Sequence, residues 1–386
     1  MRARLPGSFD ALREREFRLL FSAHAISVFG DWLVPVAIAF AVLDLTGSAS
    51  DLGFVIAARL VPMVVFMLAG GVLADRVPRQ LLMIASSLVA LVSEATLGVL
   101  LVMGTARIWE IVVLQAVRGT TAAFFRPAST GIVPDIVSPQ RLQQANALMW
   151  GAFGIAGFAG PAVAGVFLAT VGGGWAILGD AATFGVAAWL LSRMRLPVRE
   201  VSRRQSFLRK LARRRGRSSP RPSGSGPSSA TSPRSISTPE RPLVVAYLLC
   251  MASTPSLVLL GFAAPAPAIA AAELVAGLCI GVSGVLYETT LQQQVPREAF
   301  GRVASWDWMG STALRPIGLA VAGPLAAAVG TRAVLVGGAA VTVASLLCLV
   351  AVPEVRSMRA GGTGAEAVVT PFVGEEPLPE DQALEM

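Results

Sequence analysis

Four charged residues lie deep inside the apolar stretches at the start of this 386-residue sequence: Asp31, Arg59, Glu94 and Arg118. Each falls in a different one of four successive stretches, and a rise of 1.5 Å per helical residue puts them at comparable depths. Charges in hydrocarbon are costly, so they pair with one another or line a pathway. Two acids and two bases predict mutual neutralisation. The pattern also favours Asp31 or Glu94 as a carboxylate that binds and releases a proton, with static pairing that merely permits insertion as the open alternative.

Other polar residues inside apolar stretches are candidates for a cavity or for contacts between helices. Asp180 and Glu273 favour polar contacts between helices over a substrate role, and so does Glu288, although a cavity position stays open for it. Asp307 and Arg315 are eight residues apart, which predicts one helix with a shared face and no direct contact. Trp32 lies deeper than the other tryptophans and could stack on a bound molecule. The possible cavity residues are therefore Trp32, Glu288, Asp307 and Arg315.

The sequence contains no set of residues for enzymatic catalysis. Its one histidine, His24, and its three scattered cysteines cannot form a Cys/His nucleophile pair or a zinc site. A G-x-x-x-x-G-K-[ST] phosphate loop is also absent, so direct ATP hydrolysis is not expected. We therefore expect neither an enzyme nor a cofactor, and an ion gradient is the expected source of energy.

The composition indicates a membrane protein. Hydrophobic residues make up 54% of the chain and charged residues only 15%, with a mean hydropathy of +0.65, whereas soluble domains have about 25% charged residues. A helix needs about 20 mainly apolar residues to cross a bilayer. Ten stretches meet this length, which predicts an all-α polytopic bundle with spans near 19–43, 52–74, 80–103, 107–129, 142–169, 174–194, 242–263, 266–289, 304–328 and 332–353.

The positions of the arginines predict the orientation of these spans. The first 18 residues are basic but precede an apolar run longer than that of a signal peptide, so we expect a retained first span. Arg76, Arg79 and Arg141 lie in even-numbered loops, whereas the odd-numbered loops are nearly neutral. Because cytoplasmic loops are enriched in Lys and Arg, both termini are predicted to be cytoplasmic in an inner-membrane protein. The net charge of +8 then reflects topology and contact with lipid rather than binding to nucleic acid.

The chain divides into four predicted parts. Residues 1–194 form a six-helix half, 195–241 a basic Arg/Ser/Pro-rich linker, 242–353 a second half with four helices, and 354–386 an acidic disordered tail. The two halves look related, because the Gly-Pro pair at Gly160 and Pro161 recurs at Gly323 and Pro324. In that register the four later spans match spans 3–6, and the equivalents of spans 1 and 2 are missing.

A charged motif ends the second span: Gly71-Val-Leu-Ala-Asp75-Arg76-Val-Pro-Arg79. It resembles the G-x-x-x-D-R-x-x-R signature between helices 2 and 3 of the major facilitator superfamily. One carboxylate and two guanidiniums at a helix junction can pair across a bundle interface in one conformation and separate in another. Ordinary positive-inside turn residues would explain Arg76 and Arg79, but they would not explain Asp75. We therefore interpret Gly71, Asp75, Arg76 and Arg79 as a gating motif.

Further segments resemble the bacterial branch of that superfamily that contains enterobactin-exporter-like and macrolide-efflux-like carriers. They are Phe124-Phe-Arg-Pro-Ala-Ser-Thr130, Leu142-Gln-Gln-Ala-Asn146 and Tyr287-Glu-Thr-Thr-Leu-Gln-Gln-Gln294. The resemblance implies twelve helices in two halves around a cavity, of which this chain lacks helices 7 and 8. It also implies a link between Arg118 and proton coupling, although the Gln-Gly that usually follows this arginine is absent.

The fifth span resembles the Gly-Pro motif of drug/proton exchangers in this superfamily. Its residues are Gly157, Gly160, Pro161 and Gly165, with Ala164 where a glycine is usual. The proline and the small residues allow bending and close packing, and general small-residue packing between membrane helices remains an alternative explanation.

The resemblance implies an inner-membrane secondary carrier that exports a small amphipathic compound, of drug or siderophore type, in exchange for protons. The expected partners are this small molecule, protons and the lipid bilayer, and the oligomeric state is open. A second hypothesis is a truncated or frameshifted member without transport activity, because an abrupt Arg/Ser/Pro-rich run stands where two helices are missing.

Overall fold

The computed structural model describes residues 7–196, 239–296 and 299–358, and every regular element in these ranges is a helix. The first part of the chain forms six helices: α1 (Arg15–Thr46), α2 (Ala49–Arg76), α3 (Arg79–Val102), α4 (Ile108–Ile136), α5 (Leu142–Thr170) and α6 (Gly173–Ser192). The later part forms α7 (Pro242–Cys250), α8 (Thr254–Gly261), α9 (Ala266–Gln294), α10 (Phe300–Thr312), α11 (Arg315–Val329), α12 (Thr331–Ala351) and α13 (Pro353–Ser357).

Within the described ranges, nine helical segments are long and apolar enough to cross a bilayer. Six of them correspond to α1–α6, one comprises α7 and α8 together, and the other two are α9 and α12. The all-α polytopic bundle predicted from the sequence is therefore confirmed.

The predicted span at 304–328 is not one continuous helix, and the expectation of ten such helices is corrected on this point. It divides into α10 and α11 at Ala313 and Leu314, so Asp307 and Arg315 lie on separate helices rather than on one shared face. Pro316 has no N–H to donate to the carbonyl of Thr312, which explains the break. The two helices contain 13 and 15 residues, each shorter than a membrane crossing requires.

The span predicted at 242–263 is also interrupted. A 3₁₀ turn at Met251–Ser253 separates α7 from α8. Pro255 at the start of α8 cannot donate to the carbonyl of Met251, so the helix cannot pass through this point with all its hydrogen bonds.

The first six helices pack as one bundle, in which α2 contacts α4, α3 contacts α4 and α6, and α1 contacts α5 and α6. Two apolar clusters fill its interior. One contains Phe17 and Ile132, and the other contains Val34 and Ile111. Along α1 and α4, the segment between these clusters carries the charged residues described below.

Glycines bring α2 and α4 into backbone contact. A Cβ at Gly119 would lie 1.9 Å from the carbonyl oxygen of Arg59, and a Cβ at Gly70 would lie 2.2 Å from that of Ala123. Small residues allow membrane helices to approach this closely. Arg59 and Arg118 therefore face the same interior because the helices that carry them meet at glycines.

The later helices pack against this bundle mainly through α9 with α5 and α10 with α2, and smaller contacts join α10 to α4 and α11 to α2. The predicted six-helix half (1–194) contains α1–α6, and the predicted second half (242–353) contains α7–α12. Most of the predicted linker (195–241) and tail (354–386) lies outside the described residues, so those two assignments stay predictions.

Replacement of Gly119 by alanine should loosen the contact between α2 and α4, because the new methyl group would meet backbone rather than a movable side chain. We expect Gly119→Ala to lower the free energy of unfolding by about 1–3 kcal/mol, the usual cost of overpacking. Thermal unfolding in detergent measures this change. Gly53→Ala is the matched control, because a Cβ at Gly53 of α2 meets nothing within 4 Å. Equal stability of the two variants would contradict the proposed role of this crossing.

Candidate functional site

The carboxylate of Asp31 lies between two arginines contributed by other helices. Its Oδ1 accepts hydrogen bonds from Nη2 of Arg59 at 3.0 Å and from Nη2 of Arg118 at 2.5 Å. This joins α1, α2 and α4 at one point in the bundle. The four charged residues that the sequence placed at equal depth do come together, and Asp31 is their centre.

Glu94 of α3 is the fourth member of this group. It is 1% exposed, and its Oε1 lies 3.6 Å from Nε of Arg118, which is too long for a strong hydrogen bond. Arg118 also donates to the hydroxyl of Thr121 at 3.3 Å and lies 4.3 Å from the ring centre of Phe184 on α6. The buried guanidinium of Arg118 therefore interacts with two carboxylates and with the face of one aromatic ring.

A fifth ionisable residue, Asp180 of α6, belongs to the same group. It is fully buried, and its electrostatic neighbours are Asp31, Glu94, Arg118 and Arg59. Sequence reasoning missed this membership because Asp180 was treated as a contact between helices. We name Asp31, Arg59, Glu94, Arg118 and Asp180 the charge network.

No group of His, Cys, Asp and Glu side chains in the described parts of the chain is arranged to hold a metal ion. The charge network is held by the ion pairs of Arg59 and Arg118 with Asp31 and of Arg118 with Glu94.

Asp75 of the predicted gating motif contacts the first turn of α10. Its Oδ1 accepts the backbone N–H of Gly301 at 2.9 Å, and its Oδ2 accepts that of Arg302 at 3.2 Å. The Nε of Arg302 also lies 3.4 Å from Oδ2. The first N–H groups of a helix lack partners within the helix and favour negative charge. Asp75 thus caps a helix that belongs to the later part of the chain.

Two glycines make this contact possible. A Cβ at Gly71 would lie 1.9 Å from Oγ of Ser305, and a Cβ at Gly301 would lie 2.6 Å from the carbonyl oxygen of Gly71. Gly71 therefore permits the approach of α10, and Asp75, one turn further along α2, binds the N-terminus of α10.

The two arginines of the motif have different environments. Arg79 is buried, donates to Asp135 at 3.0 Å and to the carbonyl of Gly131, and lies 3.9 Å from Oδ1 of Asp75. Arg76 is exposed at the end of α2. Arg79 therefore ties Asp75 to α4, whereas Arg76 faces away from these contacts.

A second contact between the two parts of the chain joins α5 and α9 at the same end of the bundle. Asn146 donates to Oγ1 of Thr289 and to Oε1 of Gln292, each at 2.8 Å, and Gln292 donates to the carbonyl of Thr130 at 3.2 Å. These residues belong to the three segments that carried the family resemblance. Their mutual contact is a finding of the structure, since no local pattern indicated that these segments meet.

The Gly-Pro segment of α5 packs against Trp32 of α1. A Cβ at Gly160 would lie 2.5 Å from Cβ of Trp32, and one at Gly157 would lie 3.3 Å from its ring, whereas Gly165 has nothing within 4 Å. The ring of Trp32 also meets Phe153 edge to face, with centroids 5.6 Å apart. Gly157 and Gly160 thus admit the indole, and Pro161 follows them inside the helix.

The predicted cavity residues do not form one group in the described structure. Trp32 lies with α5, whereas Asp307 accepts a hydrogen bond from the hydroxyl of Tyr287 at 2.5 Å. Glu288 adjoins Tyr287 on α9, and its Oε1 is buried. Arg315 begins α11, and its side chain lies outside the described part of the structure.

Loss of the Asp75 carboxylate should weaken the contact between α2 and α10. We expect Asp75→Ala to shift spin-label distances across this end toward longer values, because two N–H groups of α10 lose their acceptor. The labels sit on Gln140→Cys and Gln293→Cys, two exposed positions, in a chain whose native cysteines are replaced. Double electron–electron resonance measures the distances, and Arg76→Ala is the control. Identical distributions in all variants would contradict a closing role for Asp75.

Comparison with known proteins identifies the family. The family described as transmembrane secretion effector matches residues 6–212, more than half of the chain. Enterobactin exporter EntS of Salmonella paratyphi A is 28% identical over 197 residues, covering 51% of this chain and 48% of its own length. Macrolide efflux protein A of Streptococcus pyogenes is 26% identical over 149 residues, covering 39% of this chain and 37% of its own. The chain thus spans about half, or less, of the curated relatives that it matches.

Solved structures support the same fold. The proton:xylose symporter XylE, bound to 6-bromo-6-deoxy-D-glucose, aligns with a TM-score of 0.64 at 12% identity, covering 88% of this chain and 96% of that one. The human organic anion transporter MFSD10 (TETRAN) aligns with a TM-score of 0.61 at 15% identity, covering 89% and 100%. The chain therefore belongs to the transmembrane secretion effector family of the major facilitator superfamily, whose members are multi-pass membrane transporters and not enzymes.

Proposed function

We propose that this chain is a secondary carrier of the cytoplasmic membrane that exports a small amphipathic compound in exchange for protons. The observation that carries the proposal is the contact of Asp75 with α10, in which one part of the bundle caps a helix of the other. The printed names of two relatives, an enterobactin exporter and a macrolide efflux protein, support outward transport of a small molecule.

The contact at Asp75 is suited to repeated opening and closing. A side-chain cap contributes about 1 kcal/mol to a helix, which is comparable with the free-energy differences between conformations of one protein. The side chain of Arg302 is 59% exposed, so the contact lies at the edge of the interface. Water can therefore replace the hydrogen bonds when the two parts of the bundle separate.

The arginine pattern supports placing this end of the bundle in the cytoplasm. Arg76, Arg79 and Arg141 all lie at the end that carries Asp75, and arginines are enriched in cytoplasmic loops. With both termini on that side, the described contacts close the cytoplasmic end. The proposed cycle then alternates between this conformation and one in which α2 and α10 separate.

The geometry of the charge network supports different roles for Asp31 and Glu94. Asp31 binds both arginines and remains ionised as the anchor of the bundle. Glu94 has a longer ion pair, with Arg118 at 3.6 Å, so protonation of Glu94 disrupts fewer contacts than protonation of Asp31. Of the two carboxylates predicted from the sequence as proton carriers, we therefore propose Glu94.

Efflux from lipid vesicles with an imposed pH gradient tests the proposal. We expect the native chain to export members of a panel of amphipathic dyes only when the gradient is present. Asp31→Asn should lower the rate at least about tenfold, because Arg59 and Arg118 lose the charge of the carboxylate that they share. Glu94→Gln should transport with reduced dependence on the gradient.

Glu110→Gln is the matched control for these variants. Glu110 accepts the backbone N–H of Arg107 at 2.8 Å in an exposed turn, and a glutamine can keep this hydrogen bond. Equal rates in the native chain and all three variants would overturn the roles given to Asp31 and Glu94. Efflux no faster than from empty vesicles, for every compound, would instead support the hypothesis of a chain without transport activity.

A further inference from the structure

The charge network contains one more acid than base. Asp31 takes hydrogen bonds from both arginines, and Glu94 has its ion pair with Arg118. No arginine nitrogen in the described residues lies within 4.0 Å of the Asp180 carboxylate. If all three acids were ionised, Asp180 would hold a buried negative charge with no arginine beside it among the described residues.

Of the three carboxylates, Asp180 has the surroundings that stabilise an ionised form least. It is completely buried, and its Oδ2 has no hydrogen-bond partner among the described residues. Burial of an ionised carboxylate without a partner is far more costly than burial of the neutral acid. Asp31 and Glu94 would add repulsion to that cost.

The surroundings of Oδ1 suit a protonated acid. The hydroxyl of Thr183 lies 2.6 Å from the backbone carbonyl oxygen of Asp180 and 3.3 Å from Oδ1. A hydroxyl has a single hydrogen, and the shorter contact directs it to the carbonyl. The oxygen of Thr183 is then free to accept a hydrogen from Oδ1 of a neutral Asp180.

Packing keeps water away from this oxygen on the side of α1. A Cβ at Gly30 would lie 2.2 Å from Oδ1 of Asp180 and 2.6 Å from Oγ1 of Thr183. The side chain of Asp180 therefore presses against the backbone of α1 immediately before Asp31. Only glycine at position 30 leaves room for it.

We propose that Asp180 is the proton-binding site of the charge network and is neutral when the Asp75 end is closed. The inference rests on the proposed proton exchange and adds a third carboxylate that the sequence did not place among its carriers. The charged groups around it are Asp31 on α1, Arg59 on α2, Glu94 on α3 and Arg118 on α4. With Asp180 neutral, Asp31 and Glu94 face Arg59 and Arg118, and Arg126 of α4 adds a further positive charge near Asp31.

Release of the proton from Asp180 changes the contacts between helices in the network. The O–H bond of Asp180 breaks, the proton passes to water, and the carboxylate keeps the charge. Arg118 already lies against α6 through Phe184, so it is the guanidinium placed to move toward Asp180. That movement weakens its hydrogen bond to Asp31 and therefore the connection between α1 and α4. Glu94 keeps its proposed role as a proton carrier, which is to pass the proton between Asp180 and water.

Infrared spectroscopy of the full chain in lipid vesicles at neutral pH tests this inference directly. A protonated carboxyl group gives a carbonyl stretching band that shifts when H₂O is replaced by D₂O. We expect Asp180→Asn to remove such a band, whereas Glu110→Gln, which removes an exposed carboxylate outside the network, should leave it in place. Glu288→Gln is a matched control, since it removes another carboxyl with a buried oxygen from a different helix.

Retention of every carboxylic acid band in Asp180→Asn would overturn the inference. If Asp180→Asn does not fold, Thr183→Val decides, because it removes the acceptor of the proton but keeps the acid. The band should then move to a higher frequency, and an unchanged band would overturn the inference.

The infrared result is independent of transport. A band assigned to Asp180 together with no gradient-driven efflux would leave the proton site standing and overturn the proposed function. Gradient-driven efflux without such a band would support the proposed function and overturn the assignment of Asp180 as the proton site.

Discussion

Charges in a hydrocarbon interior have little to solvate them except one another, and this constraint organises the first six helices. Asp31 binds one arginine from α2 and one from α4. Glu94 and Asp180 add α3 and α6 to the same group. The charges are therefore neutralised only when these helices lie at one relative depth. Apolar packing alone does not impose such a register, because leucine and lipid are equally apolar.

The charge network and the contact of Asp75 with α10 differ in their strength and in their position along the bundle. The charge network lies between the two apolar clusters, so any change in its pairing is transmitted to several helices at once. The contact of Asp75 with α10 lies at the end of the bundle and consists of a helix cap and a close glycine crossing. Strong pairing suits the part that must stay assembled, and weak capping suits the part that must separate.

Much of this arrangement follows from sequence, but only where the information is local. Counting residues along each span was enough to place Asp31 and Arg118 at one depth, and the motif was enough to single out Asp75. The partners of Asp75 in α10 could not be predicted, because they are 226 and 227 residues away along the chain. Asp180 was missed for the same reason, since its role depends on the close approach of α6 to Gly30.

The central claim, that Asp31 and Arg118 stabilise the bundle by neutralising one another, is tested most directly by a double-mutant cycle. The free energy of unfolding is measured for Asp31→Ala, Arg118→Ala and the double variant, with the exposed pair Arg15 and Glu16 as the control cycle. The double variant should be more stable than the sum of the single effects predicts, by about 1–3 kcal/mol, because it removes equal and opposite charges together. Simple additivity at Asp31 and Arg118 would contradict the claim.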